Sequence, residues 1–220
     1  MSAKMTAPFA LVHGYGLSGS AAARFLTSRG YRICVVSPKR PELLPEEFSW
    51  IEESRIATES QIIDATTLYV PSPGISLNHP LYRLACDKQW PLQSEIEIGL
   101  RALPTDCVVL AVTGTNGKTT VTSLVAHVLN SQGYFTRAVG NIGYPLCEVL
   151  LSDTPLSTYV VELSSFQLER LQGELIDRAV ILNITPDHLD RHGSFEAYAS
   201  AKCSIAHRLK SGGKLFVDNA

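Results

Sequence analysis

The sequence predicts an α/β protein in two parts. Residues 1–104 read as a Rossmann-like parallel-sheet domain, and residues 105–220 as a P-loop ATPase-type α/β domain that is incomplete. Three observations predict this. Short β-rich apolar runs alternate with helical stretches, the pattern of parallel strands covered by helices. Glycine-containing turns sit at two strand-to-helix junctions, Gly14–Gly19 and Gly114–Gly117. The composition, 45% hydrophobic and 18% charged over 220 residues, supplies apolar material for two cores and carries no sign of wholesale disorder.

The elements follow in order. Phe9–His13 reads as a strand, Ser20–Ser28 as a helix closed by Gly30, Tyr31–Val36 as the next strand, and Thr67–Val70 as another that ends at Pro71-Ser72-Pro73-Gly74. Pro80–Lys88 places Leu81, Leu84 and Ala85 on one helical face, Glu95–Leu103 is a further helix, and Pro104-Thr105-Asp106 is the expected junction. Beyond it, Cys107–Val112 is a strand, Lys118–Ser131 a helix, Thr158–Glu162 and Ala179–Asn183 strands, Phe195–Leu209 a helix and Lys214–Val217 a last strand. A doubly wound domain normally continues from such a strand into a helix, so the last strand is either an edge strand or the mark of a truncated polypeptide.

Charge and cysteines narrow the class. A formal charge of −2 offers no basic footprint for nucleic acid or a membrane surface. Cys34, Cys86, Cys107, Cys147 and Cys203 form no C-x-x-C pair, so neither a disulfide framework nor a zinc site is suggested, and they fit a reducing cytoplasm. No apolar run approaches a transmembrane length, and a cytoplasmic location is expected.

The strongest chemical signal is Thr113-Gly114-Thr115-Asn116-Gly117-Lys118-Thr119-Thr120, where a buried strand turns into an amphipathic helix. Backbone N–H groups of such a turn, with the helix N-terminus, form a nest for phosphate oxygens. Lys118 is placed to reach the β- and γ-phosphates, and the Thr119 hydroxyl to meet Mg²⁺. Val112 stands where the longer motif has its first glycine, so this is the shorter G-x-x-G-K-T form. Gly114, Thr115, Asn116, Gly117, Lys118, Thr119 and Thr120 are the expected ATP-binding residues. Glu162 ends its strand at the carboxyl edge, where an acid meets magnesium in P-loop enzymes. Asn183, Asp187, His188 and Asp190 gather after the next strand, and His188 is a candidate ligand or phosphate contact. Gly14-Tyr15-Gly16-Leu17-Ser18-Gly19 is a G-x-G-x-x-G in the dinucleotide context, but the acid expected on the second strand for an NAD ribose is missing. That strand ends Val36-Ser37-Pro38-Lys39-Arg40, which leaves NADP or another phosphorylated nucleotide open.

Together these blocks resemble the Mur ligases of bacterial peptidoglycan synthesis. The resemblance is carried by Thr113–Thr120, Gly140-Asn141-Ile142-Gly143, Asp187-His188-Leu189-Asp190 and Ala201-Lys202, some of which the folylpolyglutamate synthases share. The N-terminal glycine motif, Glu162-Leu163-Ser164-Ser165-Phe166-Gln167-Leu168 and Asn183–His192 look specifically like the branch that adds D-glutamate. The resemblance implies an ATP-dependent ligase acting through an acyl phosphate, with UDP-N-acetylmuramoyl-L-alanine, D-glutamate, ATP and Mg²⁺ as partners and a monomeric state. It implies catalytic roles for Lys118, His188 and Lys202. Thr119 and Glu162 would hold one metal, and His188 with a carbamylated Lys202 a second. Leu17, Ser18 and Gly19 would lie at the substrate's pyrophosphate, Ser37 and Lys39 near the uracil, Ser72, Pro73 and Gly74 near the uridine, and Asn141 with His188 toward the acyl end. Members of the family have three domains, so the resemblance also implies that a C-terminal ligase domain is absent and that these residues alone are inactive.

Three rival readings are weighed against this one. An NADP-dependent oxidoreductase accounts for Gly14–Gly19 with Lys39 and Arg40 but leaves Gly114–Thr120 unexplained. A P-loop regulatory ATPase accounts for the second domain only. Another Mur ligase or a folylpolyglutamate synthase-like ligase is the nearest alternative, although the folate enzyme begins nearer its P-loop.

Overall fold

The computed structural model describes residues 7–218 apart from 153 and 155. The chain divides into two compact units, Met1–Ile98 and Gly99–Ala220.

The first unit carries a four-stranded sheet built from β1 (Phe9–His13), β2 (Arg32–Ser37), β3 (Ser49–Glu52) and β4 (Leu68–Pro71), in the order β3-β2-β1-β4. All three pairings are parallel. Every residue of β1 is buried, as expected of a parallel strand covered on both faces. Helix α1 (Leu17–Ser28) follows β1 and buries Ala21, Ala22, Ala23, Phe25 and Leu26. A 3₁₀ turn (Glu53–Thr58) and α2 (Ser60–Ala65) lead from β3 to β4, and α3 (Pro80–Asp87) buries Leu81 and Ala85. Those two side chains pack with Phe9, Leu11, Cys34, Val36, Ile56 and Tyr69 in one core. Helix α4 (Glu95–Ala102) runs across the division of the units.

The second unit has a five-stranded sheet of β5 (Val108–Thr113), β6 (Thr136–Gly140), β7 (Thr158–Glu162), β8 (Ile176–Ile181) and β9 (Leu209–Val217), ordered β6-β7-β5-β8-β9 and parallel throughout. Helix α5 (Lys118–Ser131) covers one face, with Ala126 packed against Val112 and Val160. The direction of winding reverses at β5, between β7 and β8. Open α/β sheets place their ligand crevice outside the strand ends at such a point. Short helices α6 (Leu146–Val149), α7 (Ser165–Leu168) and α8 (Leu189–His192) then lead to α9 (Phe195–Cys203).

The α/β expectation holds, with corrections in detail. The helix expected over Phe195–Leu209 ends at Cys203 and continues as a 3₁₀ turn over Ser204–Arg208, and Leu209 already belongs to β9. The strand expected over Ala179–Asn183 runs from Ile176 to Ile181, so Asn183 lies in the loop after it. Strands β3 and β6 were not expected. Both are short, occupy sheet edges, and carry polar residues that break the apolar run.

Candidate functional site

The loop after β5 depends on two backbone conformations. Gly117 has φ +81° and caps α5 without any side-chain bond, which leaves the first-turn N–H groups facing the loop. Gly114 has φ +154°, and a Cβ there would stand 3.1 Å from Leu182 Cβ and 3.3 Å from the Asn183 backbone. The neighbouring segment holds the loop in place: Thr115 N–H donates to the Asn183 carbonyl at 2.9 Å, and Asn116 N–H to Asn183 Oδ1 at 2.9 Å. The Thr115 hydroxyl lies 3.0 Å from the Tyr198 hydroxyl and donates to the Thr185 carbonyl at 3.1 Å.

Charged and polar groups converge on this loop. Lys118 Nζ donates to the Thr115 carbonyl at 2.8 Å. Lys202, on α9, is 2% exposed and its Nζ donates to the Gly114 carbonyl at 2.7 Å, lying 4.7 Å from the centre of the Tyr198 ring. Burial, with the charge of Lys118 second, lowers the Lys202 pKa from 10.5 to about 8, against an opposing pull from Asp187. Glu162 is 1% exposed, and its two carboxylate oxygens accept from the Thr119 hydroxyl at 2.8 Å and from Asn141 Nδ2 at 2.9 Å. Gly140 lets the end of β6 lie close against β7 beside this pair. With φ +92°, its absent Cβ would fall 2.4 Å from the Glu162 carbonyl oxygen.

His188 stands in the loop after β8. It caps α8 in the left-handed region (φ 50°), is exposed, and contacts Asp187, Phe166 and Tyr198. Thr120 is exposed on the first turn of α5.

Two residues escaped the sequence reading. Tyr198 touches Thr115, His188 and Lys202, and its hydroxyl pKa is raised by burial. The one signal for it is its place four residues before Lys202, on the same helix face. His192 has its side chain buried between Ser165 Oγ (2.9 Å from Nε2) and Glu169 Oε1 (3.0 Å from Nδ1), and its ring stacks on Phe166. Burial lowers its pKa, with Glu169 opposing. Arg191 also pairs with Glu169, at 3.3 Å, so α8 is tied to α7 and its C-cap by three side-chain contacts.

In the first unit, Gly14 (φ +86°) turns the chain after β1. A Cβ on Gly19 would lie 2.0 Å from the Gly14 carbonyl oxygen, so only glycine lets α1 start this close to the turn. Leu17 is exposed, Ser18 is half-buried, and the Ser72 hydroxyl donates to the Gly14 carbonyl at 3.2 Å. Pro73 and Gly74 continue the loop from Ser72. Ser37 is buried and internally committed: its hydroxyl donates to the Lys39 carbonyl at 2.8 Å and accepts from Trp50 Nε1 at 2.9 Å. Lys39 itself is exposed. An open cavity of about 520 Å³ beside the glycine turn is lined by Tyr15, Gly16, Leu17, Ser20, Arg24 and Glu42, among others.

A family model described as the Mur ligase middle domain matches residues 112–220. The UDP-N-acetylmuramoylalanine--D-glutamate ligase of Protochlamydia amoebophila (strain UWE25) is 43% identical over 218 residues, which are 95% of this chain and 48% of that protein. The protein of the same name from Elusimicrobium minutum (strain Pei191) is 41% identical over 212 residues, 93% of this chain and 46% of that protein. The chain therefore spans about half the length of the curated relatives it matches. Among solved structures, the UDP-N-acetylmuramate:L-alanyl-gamma-D-glutamyl-meso-diaminopimelate ligase from Neisseria meningitides matches with a TM-score of 0.63. That match covers 97% of this chain and 72% of that one at 16% identity, a likeness of fold.

Proposed function

The chain belongs to the Mur ligase family, and from that premise we propose that it carries the ATP- and UDP-binding part of a ligase that joins D-glutamate to UDP-N-acetylmuramoyl-L-alanine. The observation that supports this most is the loop Gly114–Thr120, held open by two glycines and faced by two lysines. In functional terms, residues 1–104 hold the uridine diphosphate moiety and residues 105–220 hold ATP. Among the described residues no helix is long and apolar enough to cross a membrane, and the proposed setting is a cytoplasmic monomer.

The residues fit the groups they are asked to bind. A Cβ at Gly114 would fill the space beside Leu182 and Asn183, and the uncapped start of α5 offers N–H donors to phosphate oxygens. The Thr119 hydroxyl and the Glu162 carboxylate, 2.8 Å apart, form an all-oxygen donor pair of the kind magnesium takes. A magnesium ion bound there supplies positive charge to the β- and γ-phosphates. Lys118 exchanges its bond to the Thr115 carbonyl for the γ-phosphate and stabilises the charge on the phosphoryl group in transfer. That group passes from ATP to the substrate carboxylate, giving an acyl phosphate and leaving ADP. The D-glutamate nitrogen then attacks the acyl carbon, loses a proton, and releases inorganic phosphate. Asn141, already bonded to Glu162, faces the acyl end of the substrate.

Lys202 has the setting for carbamylation. Its amine is buried beside the loop, with a pKa lowered to about 8, so a substantial neutral fraction is available to react with carbon dioxide. The carbamate would be an anion, and with His188, which shares Tyr198 with Lys202 as a neighbour, it would hold a second metal. Leu17, Ser18 and Gly19 face the pyrophosphate, while Lys39, Ser72, Pro73 and Gly74 line the path to the nucleoside, with buried Ser37 supporting it through the bond to the Lys39 carbonyl.

Calorimetric titration with MgATP and, separately, with UDP-N-acetylmuramoyl-L-alanine tests the reading. Saturable binding of both is expected. Failure to bind MgATP at millimolar concentration overturns it.

A further inference from the structure

A cluster at the carboxyl edge of the first unit's sheet takes no part in the ligase chemistry above. His13 closes β1, Glu53 opens the 3₁₀ turn after β3, and His79 caps α3. Their potential ligand atoms all lie within 4.8 Å of one another. His13 Nε2 stands 3.7 Å from Glu53 Oε1, and His79 Nε2 contacts the same oxygen. The two imidazoles meet edge-on, their centroids 4.7 Å apart and their planes at 67°, so both rings aim a nitrogen at one region.

His13 is fully buried, with Nδ1 2.6 Å from the Tyr69 hydroxyl. When Nδ1–H donates to the Tyr69 oxygen, Nε2 keeps a lone pair directed toward Glu53. A hydrogen bond to the far nitrogen of this kind fixes the tautomer and the ring orientation of a ligating histidine. A cavity of about 620 Å³ reaches the cluster through Glu53 and His79 and is lined also by Glu52, Ser54 and Pro38. It provides an entry path and room for further ligands such as water. Two neutral imidazoles and a carboxylate, with a second carboxylate on the cavity wall, suit a divalent ion of borderline softness better than magnesium or calcium.

We propose that His13, Glu53 and His79 form a binding site for a divalent transition metal ion of the zinc class. Binding is coupled to the start of α3. His79 Nδ1 now accepts the Leu81 N–H at 3.2 Å, which places the ring proton on Nε2. A metal on Nε2 moves that proton to Nδ1 and releases the cap, so zinc entry has a local signature at Leu81.

The test uses the full 220-residue chain without a polyhistidine tag, stripped with EDTA. Zn²⁺ alone is titrated by calorimetry, Co²⁺ by visible absorption, and the Leu81 amide is followed by NMR. One ion is expected to bind at this site with micromolar affinity or better. Glu53→Gln and His79→Gln should each weaken it roughly 10- to 100-fold. Both residues are only half-buried, so these variants stay folded where His13→Asn loses stability, and circular dichroism checks this. The site should persist in Glu162→Gln, which separates it from the magnesium position and from failure of the ligase reading. Unchanged zinc affinity in Glu53→Gln and His79→Gln, absence of binding, or a Leu81 amide that does not move on saturation overturns the proposal.

Discussion

Replacing Lys202 with methionine separates the cost of a buried ammonium from the value of its hydrogen bond. In the folded chain the Lys202 pKa is about 8 against an ordinary 10.5, with burial the first cause and Lys118 the second. Between those values the unfolded chain binds more protons than the folded one, so this group makes stability rise with pH. The full difference corresponds to about 3 kcal/mol of destabilisation at pH values below about 8. Roughly 2 kcal/mol of it is relieved between about pH 7.5 and about pH 9.5. Methionine fills similar volume and cannot titrate, but it leaves the Gly114 carbonyl without its donor, a pH-independent loss of about 1–3 kcal/mol. The two effects nearly cancel near neutrality. Wild type should therefore gain about 2 kcal/mol over the variant on going to the higher pH. Urea unfolding followed by circular dichroism, in carbonate-free buffer with EDTA, measures both proteins at both values, and the other titrating groups cancel in the difference. Parallel stability–pH profiles for the two proteins would refute the argument and mean that the ammonium is not desolvated in the fold.

Three further outcomes are expected. Lys118→Met should lower MgATP affinity by roughly 10- to 100-fold, because a charge-assisted bond to phosphate is lost, and leave stability within about 1 kcal/mol; calorimetry and urea unfolding read the two effects. Glu162→Ala strands the Thr119 hydroxyl and the Asn141 amide. It should cost about 1–3 kcal/mol of stability and abolish the magnesium dependence of ATP binding, a dependence whose survival would remove Glu162 from the metal site. Gly19→Ala puts a Cβ 2.0 Å from the Gly14 carbonyl oxygen, so α1 must shift, at a cost of several kcal/mol, on the order of 3 or more; a thermal midpoint within a few degrees of wild type contradicts the packing.

What the sequence made legible was whatever is local. Gly114–Thr120 and Thr158–Glu162 are contiguous patterns whose meaning does not depend on the rest of the chain, and both elements formed where expected. The Thr119–Glu162 contact, at 2.8 Å, joins two such patterns, which the family resemblance implies share one metal. Tyr198 and His192 were not legible as site residues, because their partners, Thr115 in one case and Ser165 and Glu169 in the other, lie 23 to 83 residues away in sequence. The His13–Glu53–His79 cluster was invisible for the same reason. Strand β6, with Arg137 in its second position, lacks the apolar run that identifies a strand, and it exists because β7 offers it a parallel partner. The break at Cys203 has a simpler origin. Every residue from Phe195 to Leu209 tolerates a helix, and the pairing of Leu209 with Ile176 outweighs that local preference.

The winding of the second sheet bears on the order in which this molecule matures. β5 emerges early but is flanked by β7 and β8, strands that lie about fifty to seventy residues further along the chain. The Thr115 and Asn116 amides are fixed only by Asn183, 68 and 67 residues on. Closing such long loops is slow, and contacts of this range form late in folding. The glycine loop after β5 is not held as a local turn; its Thr115 and Asn116 bonds require the segment after β8 to be in place. A ligand that binds only the finished loop would select completed molecules, and at saturating concentration it would raise their population by mass action at the expense of half-folded ones. A nucleotide held by this loop would therefore report that the sheet around β5 is complete.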